Sequence, residues 1–460
     1  MAVWSTVSIS ALEYSRFDAD FYHPTYLSEL ESWRRLDERI GVARLGRIIA
    51  APVRTGRTPK SRAIKSDEET IRFIKTDTVR AGSVDFNNST LLPMRVVGER
   101  DIIPGGAVVM TIIGATPEIV GRTAIVRSND PACVTNQNVA VINTKGSFDP
   151  FFLTAYFQTK WGRDQVWRHS RRTEQVNLNC REVERVLVPN PELATQVAIG
   201  SLVRNSFVDT NHSIKLYERA QQLLEAELGL DKLTIQKPVG CAGRFSTVGW
   251  SETVSANRVD AQCFSPDALF YENWLHEHAQ CDCLGVLLQE MTKGRQQDDV
   301  ADGSTDYCSI KHITGRELLQ VSKCISQPDS QLAGADDLLL AITGATIGKI
   351  GIVKRYKRLA FSGDLLCMTT GNSIDPHYLL LALDHKIGQV QFIRRITGST
   401  NGHLALRDVA RVLVPRLNSV TEARIAELVR NSLSKQQESE QLLEQAKAHV
   451  ESLIEGAIQA

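Results

Sequence analysis

No run of apolar residues in this 460-residue chain approaches the roughly 18 needed to cross a bilayer, so no membrane span is expected. The opening, Met1 to Ser10, has neither a basic stretch nor a long apolar run, and a secretory leader is not expected. Net charge is missing too: 53 basic residues balance 53 acidic ones. No global field advertises a polyanionic partner, which would have to be met by local patches. Cysteine is sparse, nine in all, and odd in number. The close pair Cys281-Asp-Cys283 lacks a second pair at zinc spacing. The nine read as reduced thiols, mostly buried, in a cytoplasmic protein without a metal site.

Catalytic signatures are absent as well. Gly344-Ala-Thr-Ile-Gly-Lys349 is one residue short of a phosphate-binding loop, and Ile350 stands where Ser or Thr must reach magnesium. No Asn/Asp-Pro-Pro-aromatic tetrapeptide holds a flipped base. No Gly-x-Gly-x-x-Gly, Gly-x-Ser-x-Gly or His-Glu-x-x-His occurs. No Pro-Asp followed by Glu-x-Lys marks a restriction-nuclease core. The pattern predicts a chain that binds and does not catalyse.

What the chain does contain is a repeat. Arg185-Val-Leu-Val-Pro189 returns as Arg411-Val-Leu-Val-Pro415, and Leu202-Val-Arg-Asn-Ser206 as Leu428-Val-Arg-Asn-Ser432, both 226 residues on. Asp149-Pro150 returns as Asp375-Pro376 at the same offset. Gly114-Ala-Thr116 matches Gly344-Ala-Thr346 at 230, and Arg16-Phe-Asp-Ala19 matches Arg258-Val-Asp-Ala261 at 242. The order never changes, which coincidence does not produce.

Each copy has two parts. Short β-branched runs, 107–113, 123–126 and 139–142, with counterparts 337–343, 350–353 and 365–368, read as strands. A helix should follow each Asp-Pro pair, aspartate capping and proline suiting the first turn. These parts read as small α+β domains. The second part is a helix: residues 192 to 228 and 420 to 458 lack proline and carry apolar residues in steps of three and four. About 36 residues at ~1.5 Å each make a rod of roughly 54 Å. An apolar stripe on a rod needs a partner, and the other helix of the same chain is the nearest one. The expected organisation is a domain over 1–192, a helix over 193–230, a linker over 231–250, a second domain over 251–418 and a helix over 419–460.

Charge is segregated along this frame. Residues 44 to 80 hold ten bases and four acids, whereas from 419 onward seven acids face four bases. That distribution suits globular parts that meet phosphates and a rod that does not. Polar loop residues interleave with the bases, and Arg, Asn and Gln are the residues that read base edges. The candidate DNA contacts are Arg54, Arg57, Lys60, Lys75, Thr116, Arg122, Gln137, Arg171 and Arg172 in the first copy. In the second they are Thr346, Lys349, Lys354, Arg355, Arg394, Ser399, Asn401 and His403.

With these motifs in place, the chain resembles the specificity (S) subunit of type I restriction–modification enzymes. Thr343-Gly-Ala-Thr-Ile-Gly-Lys349 is similar to that family's Gly-x-Thr-Ile-Gly strand and turn. Thr397-Gly-Ser-Thr-Asn-Gly-His-Leu404, followed by Val412-Leu-Val-Pro415, resembles the approach to the family's conserved helix. Arg16-Phe-Asp-Ala-Asp-Phe-Tyr-His-Pro24 resembles a common opening. The resemblance implies two target-recognition domains separated by helices forming an antiparallel coiled coil, each domain reading one half of a split, asymmetric site in double-stranded DNA. Half-sites roughly 34 Å apart are compatible with the rod. It implies two methyltransferase (M) partners and, in a restricting complex, two restriction/translocase (R) subunits. S-adenosylmethionine, ATP and magnesium would sit on those partners and none on this chain. The first copy departs from the pattern: residues are inserted in Gly114-Ala-Thr-Pro-Glu-Ile-Val-Gly-Arg122, and Arg171-Arg-Thr-Glu-Gln175 replaces the Gly-Ser-Thr segment. Domains reading different sequences would differ in this way. The same architecture would also serve the recognition subunit of another phage-defence modification system, or a bridging protein that binds no DNA.

Overall fold

The computed structural model describes residues 4–9, 12–13, 16–60, 63–64, 67–116, 118–172, 175–232, 247–256, 258–318, 321–325, 332–398 and 401–459. It separates into two compact units, 1–209 with 438–460, and 210–437. The division falls inside both long helices.

In the first unit, four antiparallel strands form a central sheet in the order Arg54–Thr55, Val139–Ile142, Val108–Thr111, Thr123–Ile125. Alternate side chains leave the sheet on opposite faces. Val108, Met110 and Ala140 join one buried cluster with Phe152 and Tyr156, while Val109, Val139 and Val141 join another. Both faces are covered, which is why these strands read as unbroken apolar runs. A side sheet is formed by Thr90–Pro93, Thr70–Ile74 and Cys133–Thr135.

The second unit repeats this plan. Its central sheet runs Leu288–Lys293, Leu365–Thr370, Leu338–Ala341, Ile350–Ile352, again antiparallel. Leu338, Leu340 and Met368 face one cluster, and Leu339, Ala341 and Cys367 the other. Its side sheet, Ser322–Cys324, Thr305–Cys308, Leu359–Phe361, gains an edge strand at Leu332–Ala333. The duplication is therefore one of topology as well as of sequence.

The Asp-Pro helices form as expected, at Pro150–Gln158 and Pro376–Asp384. Asp149 Oδ1 accepts from the amides of Phe151 (2.8 Å) and Phe152 (3.1 Å), and Asp375 Oδ1 from that of His377 (2.8 Å). Arg204 pairs with the Asp149 carboxylate, and Arg430 with that of Asp375 at 2.7 Å. The recurring Val-Leu-Val-Pro strings are short strands, Leu187–Pro189 and Leu413–Arg416, paired with Val42–Arg44 and Gln280–Cys283. Buried Gln165 and Gln391 each accept the amide that opens one of these strands, Leu187 at 3.3 Å and Leu413 at 2.7 Å.

The long helices span Leu193–Glu227 and Ser419–Gln459. Within the first unit, Val203 and Phe207 share a buried cluster with Ala446, Val450 and Ile454. Within the second, Tyr217 and Leu224 share one with Ile425, Val429 and Leu433, and the Ser213 and Ser432 hydroxyls meet at 3.1 Å. The early part of one helix thus packs on the late part of the other, the pairing of an antiparallel coiled coil. Of the linker, residues 233–246 lie outside the described residues, and a helix, Trp250–Ala256, follows. Among the described residues no helix is long and apolar enough to cross a membrane, and no group of three or more His, Cys, Asp or Glu could hold a metal ion. Eight described cysteines are free thiols, five of them buried.

Candidate nucleic-acid interface

Antiparallel order brings particular loops to one end of each central sheet. In the first unit, the C-terminal ends of Arg54–Thr55 and Val108–Thr111 lie with the N-terminal ends of Val139–Ile142 and Thr123–Ile125. The segments 56–60, 112–122 and 136–138 therefore converge. Gly56 N donates to Asn136 O (3.2 Å), and Thr58 Oγ1 donates to Gln137 Oε1 (2.5 Å). Ile112 N donates to Asn138 O (3.0 Å). A fourth segment joins through the pairing of Ile113–Gly114 with Val176–Asn177, whose other side is closed by a bridge to Arg171.

The second unit has the same four segments. Arg295 N donates to Phe361 O (2.9 Å), Ile342 N to Asp364 O (2.9 Å), and Gly344 N to Gly402 O (3.1 Å). His403 bridges both Thr343 and Thr397, as Asn177 does Ile113 and Arg171 226 or 230 residues earlier. Thr343 Oγ1 donates to Asp364 Oδ1 at 2.7 Å. The backbone frame recurs in both copies while the side chains on it change: Thr135-Asn-Gln-Asn138 corresponds to Phe361-Ser-Gly-Asp364, 226 residues on.

Two glycine positions hold this frame. A Cβ at Gly56 would run into the carbonyl of Thr135, and one at Gly294 into that of Phe361. Each glycine lets its edge strand pass over the neighbouring turn, and each is followed by an exposed arginine, Arg57 or Arg295. Gly121 and Gly348 turn at φ +83° and +90°, and each hands on to a cation, Arg122 or Lys349, at the start of a strand. Arg295 was missed by the sequence reading. The signal that finds it is the Gly-Arg pair itself, repeated at an offset of 238.

The candidate residues fall into groups. Arg57 (82% exposed, 3.6 Å from Asp101), exposed Lys60 and exposed Gln137 lie on the converging loops of the first unit, whereas half-buried Lys75 follows the side-sheet strand Thr70–Ile74, 3.8 Å from Asp77. Arg54 sits at their root and donates to Ile102 O at 3.1 Å. Thr116 is exposed on the 112–122 loop. Arg122 donates to the carbonyls of Glu118 (3.1 Å) and Val79 (3.2 Å), and burial followed by the like charges of Arg80 and Arg163 lowers its pKa. That local excess of positive charge favours an anion. Arg171 is held by Glu182 at 2.6 Å, and Arg172 by Asp20 (3.2 Å) and the Tyr26 hydroxyl (2.9 Å).

In the second unit, Thr346, Lys349, Asn401 and His403 lie on the converging segments. The Thr346 hydroxyl is buried without a hydrogen-bond partner among the described residues. Gly344–Lys349 leads into the strand Ile350–Ile352 and not into a helix, so it lacks the helix N-terminus of a phosphate-binding loop. Ser399 lies outside the described residues. Lys354 and Arg355 sit past the far end of that strand, paired with Asp336 (2.8 Å) and Glu317 (3.1 Å). Arg394 departs furthest from a surface contact: it is 6% exposed and ion-paired with Glu272, because that carboxylate arrives from a helix 122 residues away.

No family model matches the sequence, and no curated protein matches it either. Solved structures similar to this chain include a type I restriction–modification S subunit from M. genitalium, at 12% identity over 90% of this chain and 95% of that one, with a TM-score of 0.42. The HsdS subunit from Thermoanaerobacter tengcongensis is 14% identical over 90% and 96%, with a TM-score of 0.30. A chain from a study of complex assembly in the type I R-M system is 13% identical over 91% and 97%, at 0.31. At such identities and scores the likeness says nothing of activity or ligands.

Proposed function

We propose that this chain is the non-catalytic DNA-specificity subunit of a type I restriction–modification complex in the cytoplasm. Each domain reads one half of a bipartite, asymmetric site, and the chain docks two methyltransferase subunits. The observation that carries the reading is one frame used twice with different side chains. Both domains bring the same four segments to the same sheet end, yet one offers Asn and Gln where the other offers Ser, Gly and Asp. Two readers with one docking geometry and different base contacts suit a split site whose halves differ in sequence. Exposed Arg57 and Lys60, with Arg122 beside Arg80 and Arg163, supply phosphate contacts in the first half. S-adenosylmethionine, ATP and magnesium belong to the partner subunits in this reading.

Electrophoretic binding with and without the methyltransferase subunit tests it. Sequence-selective retardation of duplex DNA by the complex is expected, and its absence would end the proposal. A bridging role without DNA is favoured by one observation: Arg171, Arg172, Lys354 and Arg355 are held in internal ion pairs. Reversing charge at Arg54, Arg57 and Lys60 separates the two. Affinity for DNA falls steeply under the specificity reading and is unchanged under the bridging one.

A further inference from the structure

Arg16-Phe-Asp18 and Arg258-Val-Asp260 recur in the two copies, yet neither lies on the converging segments. Each arginine is locked by its own aspartate. Arg16 donates to both oxygens of Asp18, at 2.7 and 2.9 Å, and Arg258 to both of Asp260, at 2.7 and 2.8 Å. One oxygen of each aspartate also accepts the amide three residues on, from Phe21 or Cys263, at 3.0 Å. The two-point lock fixes the plane of the guanidinium and aims its other N–H groups.

The target is the same in both domains. Arg16 donates to the carbonyls of His169 (2.6 Å), Ser170 (3.1 Å) and Arg168 (3.5 Å). Arg258 donates to that of Arg394 (3.0 Å), 226 residues after Arg168. These groups stand at the ends of the helices Lys160–His169 and Lys386–Arg395, where final carbonyls lack intrahelical donors and a cation is favoured. Two residues beyond each helix end, at Arg171 and Thr397, the fourth converging segment begins. In the first domain the strap holds that segment as well: Asp20 and the Tyr26 hydroxyl take Arg172, at 3.2 and 2.9 Å. Arg16 is 2% exposed, and the buried Phe21 ring lies 4.6 Å from its guanidinium and 4.5 Å from that of Arg168. The fourth segment thus has two anchors. One is its pairing with Ile113–Gly114 or the bridge to Thr343, and the other is the helix exit held by the arginine.

We propose that the Arg-x-Asp motif is a positioning clamp for the fourth segment, so that Arg16 governs the specificity of one half of the DNA site and Arg258 that of the other. Base discrimination needs side chains held within about 0.5 Å of their productive place, which an unclamped helix exit does not give. The inference rests on the proposed function for the DNA site itself.

The test uses the full chain assembled with its methyltransferase subunit. Affinity is measured for the cognate duplex and for duplexes with one base pair changed in either half. The variants are Arg16→Lys and Asp18→Asn in the first domain, and Arg258→Lys and Asp260→Asn in the second. Lysine lacks the fork, and asparagine breaks the two-point lock. The Asp18 and Asp260 side chains are 46% and 47% exposed, so their variants keep the test open where a buried lysine blocks folding. Arg16→Lys and Asp18→Asn are expected to lower discrimination about tenfold in one half and leave the other half as in the parent. Arg258→Lys and Asp260→Asn should do the reverse. Parental discrimination in every folded variant overturns the clamp. Equal loss in both halves, the mark of a merely structural role, overturns it too. Either result leaves the proposed function standing, whereas a parent that discriminates no base pair overturns both.

Discussion

Arg57 and Arg295 occupy one position in two domains, each exposed and each behind a glycine that has no room for a methyl group. Under the proposed function, replacing either with alanine removes one phosphate neighbour. The slope of log affinity against log salt should then drop by about 0.9 for each arginine, measured on duplex DNA with the assembled complex. An unchanged slope would remove both from the interface. Gly56→Ala and Gly294→Ala act on the fold instead, because the turn carbonyl must move aside. Each should cost about 1–3 kcal/mol in urea unfolding. His169 offers a pH handle. Burial, then the charges of Arg168, Arg16, Arg185 and Arg44, push its pKa down to about 3. The unfolded chain takes up this proton near pH 6.5 and the folded chain near 3, so stability is lost as pH falls through that window, at about 1.4 kcal/mol per unit. His169→Gln should flatten that part of the stability–pH curve.

Helix ends and helix seams set the element scale. The Asp149 and Asp375 caps hold the first turns of equivalent helices, and each also receives an arginine from a long helix, Arg204 or Arg430. Asp149→Ala and Asp375→Ala should each lower stability by about 1 kcal/mol through the lost cap. The arginine left behind should make the measured loss in chemical unfolding somewhat larger. These helices were legible in the sequence because aspartate–proline is a local signal. Three strands of each central sheet were legible to within a residue or two because a sheet covered on both faces needs continuous apolar runs, whereas the edge strands and the side sheets were not. Arg394 was not legible in the same way: nothing near it in sequence announces that Glu272 takes its charge.

At the scale of the whole molecule, the paired helices and the duplicated loops make separate predictions. Four residues inserted after Gln436 add about one turn and leave the apolar stripe nearly in phase. A changed gap between half-sites, or lost assembly, is expected in a long-read methylation map. The old gap with normal activity would contradict a spacing role for the helices. Exchanging residues 397–403 for 171–177 should alter one half of the methylated sequence and leave the other alone. A map in which both halves change would show that the domains do not read independently.

The amino-acid order alone established the repeat, both long helices and the strand runs, because hydrophobic period and helix-end chemistry act over a few residues. It also carried the absence of catalytic motifs and the basic stretch near residue 57. The common sheet order and the four segments brought to one sheet end were decided in three dimensions. Each depends on hydrogen bonds or ion pairs between residues far apart in the chain, such as Arg16 with the His169 carbonyl or Glu272 with Arg395. Local pattern can propose such residues, but only chain packing selects which of them meet.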